Sequence, residues 1–186
     1  MNLSQLPQSA KLLSDRELCV DISGIRTVST ATVVFAFERN AVAHPLQGLG
    51  FVVPKGEGQI LAATWSSSKW PHRAPAGRVL MRAFVGGPNL AHQLELDDEA
   101  LIALAHSELQ RLMGRLDAPL FARVYRYLQA SPQPELGHPE RMRRIHHRLE
   151  AFPGLLVSAG GLDGIGIPDT IKHAQQAAAR IVAHLK

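Results

Sequence analysis

The stretch "GFVVPKGEGQILAATW", residues 50–65, decides the fold. Two short runs rich in valine, isoleucine and aromatic residues flank "KGEG", and the glycines Gly56 and Gly58 are expected to supply the positive φ of a hairpin turn. A hairpin makes its two strands antiparallel. On one side of it, "TVSTATVVFAFE", Thr27 to Glu38, is dense in β-branched and aromatic residues and ends in polar "RNAVAHPLQG", so it predicts a strand and a loop. On the other side, "GRVLMRAFVGG", Gly77 to Gly87, predicts another strand after the loop "SSSKWPHRAPA". Strands follow strands with no helix between them, which excludes an alternating β-α architecture.

From Asp97 the period changes. Leu101, Ile102, Leu104, Ala105, Leu109, Leu112 and Met113 form a helical stripe, with Asp98 and Glu99 in the first turn and Gly114 as the stop. Alternation returns in "APLFARVYRYL", Ala118 to Leu128, and "SPQPELGHPE" is a proline-rich connector. A second helix starting near Pro139 places Met142, Ile145, Leu149 and Phe152 on one face. "GLLVSAGG" is expected to be a short buried strand, and a last helix from about Pro168 carries Ile171, Ala174, Ala178, Ile181, Val182 and Leu185 on one face. Near the N-terminus, "SDRELCVDI" predicts a short helix. The fold class is α+β: a mostly antiparallel sheet, packed helices and a C-terminal turn and helix.

The chain has 186 residues, 46% hydrophobic and 19% charged, the balance of an ordinary folded domain. A chain of this size buries roughly 70% of the surface its unfolded form exposes. The single cysteine, Cys19, excludes an internal disulfide and is expected to be a small buried apolar side chain. "MNLSQLPQSAKLL" lacks the basic start and apolar run of a signal peptide, and the apolar stretch around "TVVFAF" is too short to span a bilayer. A cytoplasmic protein is expected, with contact to a membrane surface left open.

The candidate sites start with "GGLDGIGIPDTIKHA", residues 160–174. Gly160, Gly161, Gly164 and Gly166 allow close backbone approach, and Pro168 is preset for a first helical turn, where N–H groups lack partners. Spacing alone leaves a plain turn and a ligand cradle both open. If a ligand sits there, Asp169 disfavours a bare phosphate, and the carbonyl-rich edge of a heterocycle fits better. "GLGFVV", Gly48 to Val53, resembles half of a GxGxxG fingerprint but runs into a strand, and Val53 replaces the third glycine. There is no P-loop, GxSxG or CxxC. The net charge of +4 permits acidic partners. Arg141, Arg143, Arg144, His146, His147 and Arg148 could form an anionic-surface or nucleic-acid patch, but the exposed face lacks aromatic residues and a solvated helix face is the expectation. His146 and His147 point about 100° apart on a helix, so no metal is expected. The serines of "TWSSSKWPHRAP" have no assignable histidine and carboxylate partners, and Leu49, Val52, Thr64 and Phe84 are by default core.

Taken together, "VAHPLQGLGFVVPKGEGQILAATWSSSKWPHRAPAGRVLMRAFVGG" (Val42 to Gly87), "SPQPELGHPERMRRIHHRLEAFPGL" and "AGGLDGIGIPDTI" resemble the C-terminal portion of the protoporphyrinogen/coproporphyrinogen oxidases of the flavin amine oxidase superfamily. The resemblance covers nearly the whole chain. It implies an FAD-dependent oxidoreductase that removes hydrogens from a porphyrinogen in haem biosynthesis. It further implies flavin contacts at Ile165, Gly166 and Ile167, with Gly160 and Gly164 shaping the turn, and a substrate wall of Leu49, Val52, Thr64 and Phe84. No catalytic residue is assigned. The expected domains are 1–154, a substrate-binding-like α+β domain, and 155–186, a strand, turn and helix that contribute to the FAD site. The family's Rossmann half is absent from these residues, so the FAD site is incomplete and a separate N-terminal half is an expected partner. Two departures from the family stand out: Leu162 and Asp163 replace an aromatic or basic pair, and Pro134 replaces a tyrosine. A homodimer is the other expected assembly, and a non-catalytic module binding a tetrapyrrole or a partner protein is the alternative function.

Overall fold

The computed structural model describes residues 15–152 and 154–184. Leu185 and the "MNLSQLPQSAKLL" segment lie outside the described residues. The chain divides into two compact units: Ser29–Leu128, and the described residues before and after it. These bounds differ from the expected division at 154/155, because the stretch from Gln129 packs with the end of the chain. Each unit has its own buried cluster.

The central unit is built on a five-stranded antiparallel sheet, with β1 Thr27–Glu38, β2 Gly50–Val52, β3 Ala62–Trp65, β4 Arg78–Gly86 and β5 Phe121–Pro132 in the order β2-β3-β4-β1-β5. Side chains alternate across a strand, so Ala31, Val33, Phe35 and Phe37 of β1 share a face with Ala63, Trp65, Met81, Ala83 and Val85, all buried. Helix α3, Asp98–Met113, covers that face with Leu101, Ala105, Leu109 and Met113. (Helix α1 is Arg16–Ser23 and helix α2 the turn Ser66–Lys69.) The Asp97 side chain caps α3 by accepting from the Ala100 N–H at 2.8 Å, and Gly114 ends it at φ +81. Leu112, expected on the buried stripe, is 37% exposed.

The hairpin between β2 and β3 forms with Gly50 opposite Thr64 and Val52 opposite Ala62. Of the two turn glycines only Gly56 takes a positive φ, +87. Gly58 has a different reason to lack a side chain: a Cβ there would lie 2.8 Å from Glu108 Oε2 and 2.9 Å from Arg111 Nη2. The space it leaves is used by an anchor. Glu108 is buried and accepts from the Gln59 N–H at 2.8 Å and from Arg111 Nε at 2.9 Å. The loop expected at "SSSKWPHRAPA" contains α2 and a 3-10 turn, Pro71–Arg73, and Ser67 Oγ accepts from the Leu80 N–H at 3.1 Å.

Glu108 makes stability pH-dependent. The hydrogen bond from Arg111, aided by the Gln59 N–H and the Arg111 charge and opposed by burial, holds its carboxyl below the ordinary value of 4.5. A carboxylate with a depressed folded pKa binds protons more readily unfolded, so its contribution is complete above pH 4.5 and is lost as pH falls through the folded pKa. Thermal melts of the chain and of Glu108→Gln are therefore expected to differ most above pH 5 and to converge in acid. A difference that does not change with pH would refute the anchor.

In the other unit, α1 is capped by Asp15, which accepts from the Leu18 N–H at 2.9 Å. Its Leu18 and Ile22 pack with Met142, Ile145 and Leu149 of α4, His138–Leu149, and with Leu162. Cys19, expected to be buried, is partly exposed at the edge of this cluster, and Phe152 packs there from beyond the helix end. Most basic residues of α4 have carboxylate partners: Arg144 with Asp21 at 2.6 Å, Arg148 with Asp15 and Glu17, Arg143 with Glu140, His146 with Asp163, His147 with Glu150; Arg141 differs, its Nη1 buried without a hydrogen-bond partner among the described residues. "GLLVSAGG" is not a strand. Leu155 and Val157 pack on the cluster as irregular chain, because an apolar run becomes a strand only where a neighbouring strand edge takes its N–H and C=O groups. The last helix, α5, Ile167–His184, forms as expected, yet none of its described residues is buried. Among the described residues no helix is long and apolar enough to cross a membrane.

Candidate functional site

The face of the sheet opposite α3 carries the first candidate site. Direct partners across a ladder share a face, and three pairings fix who meets whom: Thr64 opposite Arg82, Ala62 opposite Phe84, and Thr32 opposite Phe84. Val52 joins them through its pairing with Ala62. Three of the four wall residues, Val52, Thr64 and Phe84, thus lie on one face. Leu49 lies one position out of that alternation; its carbonyl accepts from the Trp65 N–H at 2.9 Å, and its side chain is 55% exposed at the start of β2. Since Ala122 and Val124 of β5 turn to the α3 side, Phe121, Arg123, Tyr125 and Tyr127 turn to the same face as Phe84.

Exposure matches this geometry. Val52 is 80% exposed, Tyr125 and Tyr127 about half, while Thr64, Arg82 and Phe84 are partly buried in the middle of the sheet. The face mixes apolar side chains with three arginines: Arg78, paired with Glu38 at one end, Arg123 on the edge strand β5, and Arg82 in the middle. The guanidinium of Arg82 lies over the Phe84 ring, Cζ 5.6 Å from the centroid. Both Thr64 Oγ1 and Arg82 Nε are buried without a hydrogen-bond partner. The sequence reading passed over Arg82 and the two tyrosines. Counting two residues back from Phe84 finds Arg82, and alternation along β5 finds Tyr125 and Tyr127, but both steps need the register.

The glycine turn lies in the other unit. Gly161 adopts φ +92, and its N–H donates to the Gly164 carbonyl at 2.6 Å. Gly164 is pressed against Asp169, where a Cβ would lie 2.8 Å from Asp169 Cβ; at Gly166 it would lie 3.0 Å from Asp169 Oδ2. Thr170 donates to the Gly166 carbonyl from both N–H and Oγ1 at 3.0 Å, which fixes the entry to α5. Gly160 is partly buried, and a Cβ there would lie 3.6 Å from Thr170 Oγ1. The outer surface of the turn is left to Ile165, 58% exposed, Gly166, and Ile167, 77% exposed. Bare backbone with two apolar flanks can receive the edge of a flat ring, and Asp169 packs beneath the turn. Among the described residues no group of histidine, cysteine and carboxylate side chains could hold a metal ion.

The model of the family "Flavin containing amine oxidoreductase" matches residues 4–182. The chain is 30% identical over 179 residues to the coproporphyrinogen III oxidase of Bacillus subtilis, covering 95% of this chain and 38% of that protein. It is 33% identical over 161 residues to the coproporphyrinogen III oxidase of Staphylococcus aureus, covering 86% and 34%. A crystal structure from Exiguobacterium sp. 255-15, named provisionally as a protoporphyrinogen oxidase, superposes with a TM-score of 0.80 at 31% identity, covering 96% of this chain and 39% of that one. The chain therefore spans a little over a third of the length of these relatives and belongs to the flavin-containing amine oxidoreductase family.

Proposed function

We propose that this chain is the substrate-facing and flavin-ring-facing portion of an FAD-dependent porphyrinogen oxidase of haem biosynthesis. The observation that carries the proposal is the open sheet face, where the register brings Val52, Thr64 and Phe84 to one side as a wall against which a tetrapyrrole can lie. The names of the relatives at 30% identity or more point to coproporphyrinogen as substrate. In this reading Leu49 edges the wall, Ile165, Gly166 and Ile167 meet the flavin ring, and Gly160 and Gly164 shape the turn behind them. FAD, when bound, takes up the hydrogens removed from the macrocycle. The chain's own residues bind and orient: hydrogen removal by a flavin depends on holding the ring in register more than on an acid or base, and the wall excludes water from one side of it.

These 186 residues contain no GxGxxG leading from a strand into a helix, so the ADP part of FAD is assigned to a dinucleotide-binding half outside them. Two features support such a partner. The stripe on α5 is uncovered, with Ile171 and Val182 more than half exposed, and the apolar run at Leu155–Val157 has no strand beside it.

The test is a visible spectrum of the chain with FAD, with coproporphyrin III, and with both after adding a separately produced dinucleotide-binding half. Porphyrin binding by the chain alone is expected, and stable flavin binding with oxidase activity only after the half is added. Recovery of neither flavin nor oxidase activity overturns the enzyme reading, and porphyrin binding without flavin in every mixture would establish the tetrapyrrole-binding module.

A further inference from the structure

Arg82 differs from the other arginines of the sheet in its surroundings: Arg123, on the same face, is exposed on the edge strand, whereas Arg82 is partly buried with its Nε closed from solvent. Arg78 is paired with Glu38, and Arg126, turned to the α3 side, is held by Asp98 and by the Leu96 carbonyl. Arg82 sits centrally on the open face, between Thr64 on one neighbouring strand and Val34 on the other. Among the described residues it has no ion pair and no hydrogen bond; its recorded contact is with the Phe84 ring. Its Nε is buried, and so is Thr64 Oγ1 on the residue directly opposite, both without partners. A buried donor left unsatisfied costs free energy, and a guanidinium offers several N–H donors in a planar fork that suits a carboxylate. The arrangement places an unpaired, partly buried guanidinium beside Thr64 and Phe84 in the middle of the face.

We propose that Arg82 is the seat for a carboxylate of the tetrapyrrole, with Thr64 Oγ1 as a second donor. The proposal rests on the porphyrinogen reading of this face and adds how the macrocycle is set in rotation upon it. A flat ring on a smooth apolar wall can turn in its plane, whereas one propionate held by a planar fork stops that rotation and presents a chosen edge to the oxidant. Phe84 then has two tasks, wall and support, because its ring holds the guanidinium in place.

The experiment compares coproporphyrin III with its tetramethyl ester, which keeps the macrocycle and removes the charges, by fluorescence titration of the chain without flavin. The unsubstituted chain is expected to bind the acid about ten-fold more tightly than the ester, the range of one partly buried charge-assisted hydrogen-bonded pair. Arg82→Met keeps an apolar stem of similar length and is expected to remove the preference while leaving the ester's affinity unchanged. Arg82→Lys keeps the charge without the fork and is expected to retain part of it. Unaltered thermal melts establish that both variants fold. A preference that survives in Arg82→Met overturns the assignment alone. Failure of the unsubstituted chain to bind either porphyrin overturns the porphyrinogen reading, and the assignment with it.

Discussion

Trp65→Ala is expected to lower the unfolding free energy by about 3–5 kcal/mol, the range for truncating a large aromatic side chain in a closed core. Trp65 is the largest fully buried side chain, 1% exposed, and its indole lies 5.5 Å from both the Phe51 and the His44 rings, edge-on to the former. Removing it opens a cavity at the junction of β3, α2 and the loop before β2. Trp65→Phe has a different expectation. The indole Nε1 is buried without a partner, so the phenyl ring gives up volume and also removes an unsatisfied donor. The two effects oppose each other, and the net change is expected to stay within about 1 kcal/mol. Urea denaturation of both variants checks the pair. If phenylalanine costs nearly as much as alanine, the indole N–H has a partner that matters.

Gly50→Ala is the second large effect, and it acts through the backbone. Gly50 has φ +145 and pairs with Thr64; a Cβ there would overlap the Ala63 carbonyl oxygen and come within 2.8 Å of Thr64 Cα. Neither atom belongs to a side chain that could rotate away. The strand must separate or the main chain must shift, and the strained φ adds to the overlap, for a combined cost of about 2–4 kcal/mol. Because Val52 and Thr64 reach the open face through this ladder, porphyrin binding is expected to fall together with stability. Gly56→Ala provides the contrast, since nothing lies within 4 Å of a Cβ there and only the φ of +87 resists it. It is expected to cost about 1 kcal/mol and to leave porphyrin binding intact. A binding loss of equal size in both variants would show that the β2–β3 pairing does not shape the face.

Much of this fold was legible in the residues. Thr27–Glu38 and Gly77–Gly87 announce strands through β-branched content, and Asp97 and Gly114 bracket α3 because capping is local chemistry. What failed to show depends on neighbours remote in sequence. Leu155–Val157 has the composition of a strand, but a ladder needs a second edge. The α5 stripe is periodic, but periodicity does not say whether anything covers it. Gly58 looks like a turn residue until Glu108 and Arg111, about fifty positions on, are seen to occupy its space. The same limit governed the site. Phe84, Thr64 and Val52 were found through resemblance to a family, whereas Arg82 became visible only once the register put it opposite Thr64.

The division of the chain also sets an order of assembly. All of Ser29–Leu128 is contiguous, so its sheet and α3 can close as soon as that stretch has left the ribosome. Leu18 and Ile22 of α1 must wait for Met142, Ile145 and Leu149, more than a hundred residues later, before their cluster can form. Contacts so distant along the chain are slow to make, because a long loop must be closed before any of them is rewarded. During synthesis the apolar face of α1, Leu18 and Ile22, therefore stays without the cluster that buries it after the sheet is already complete.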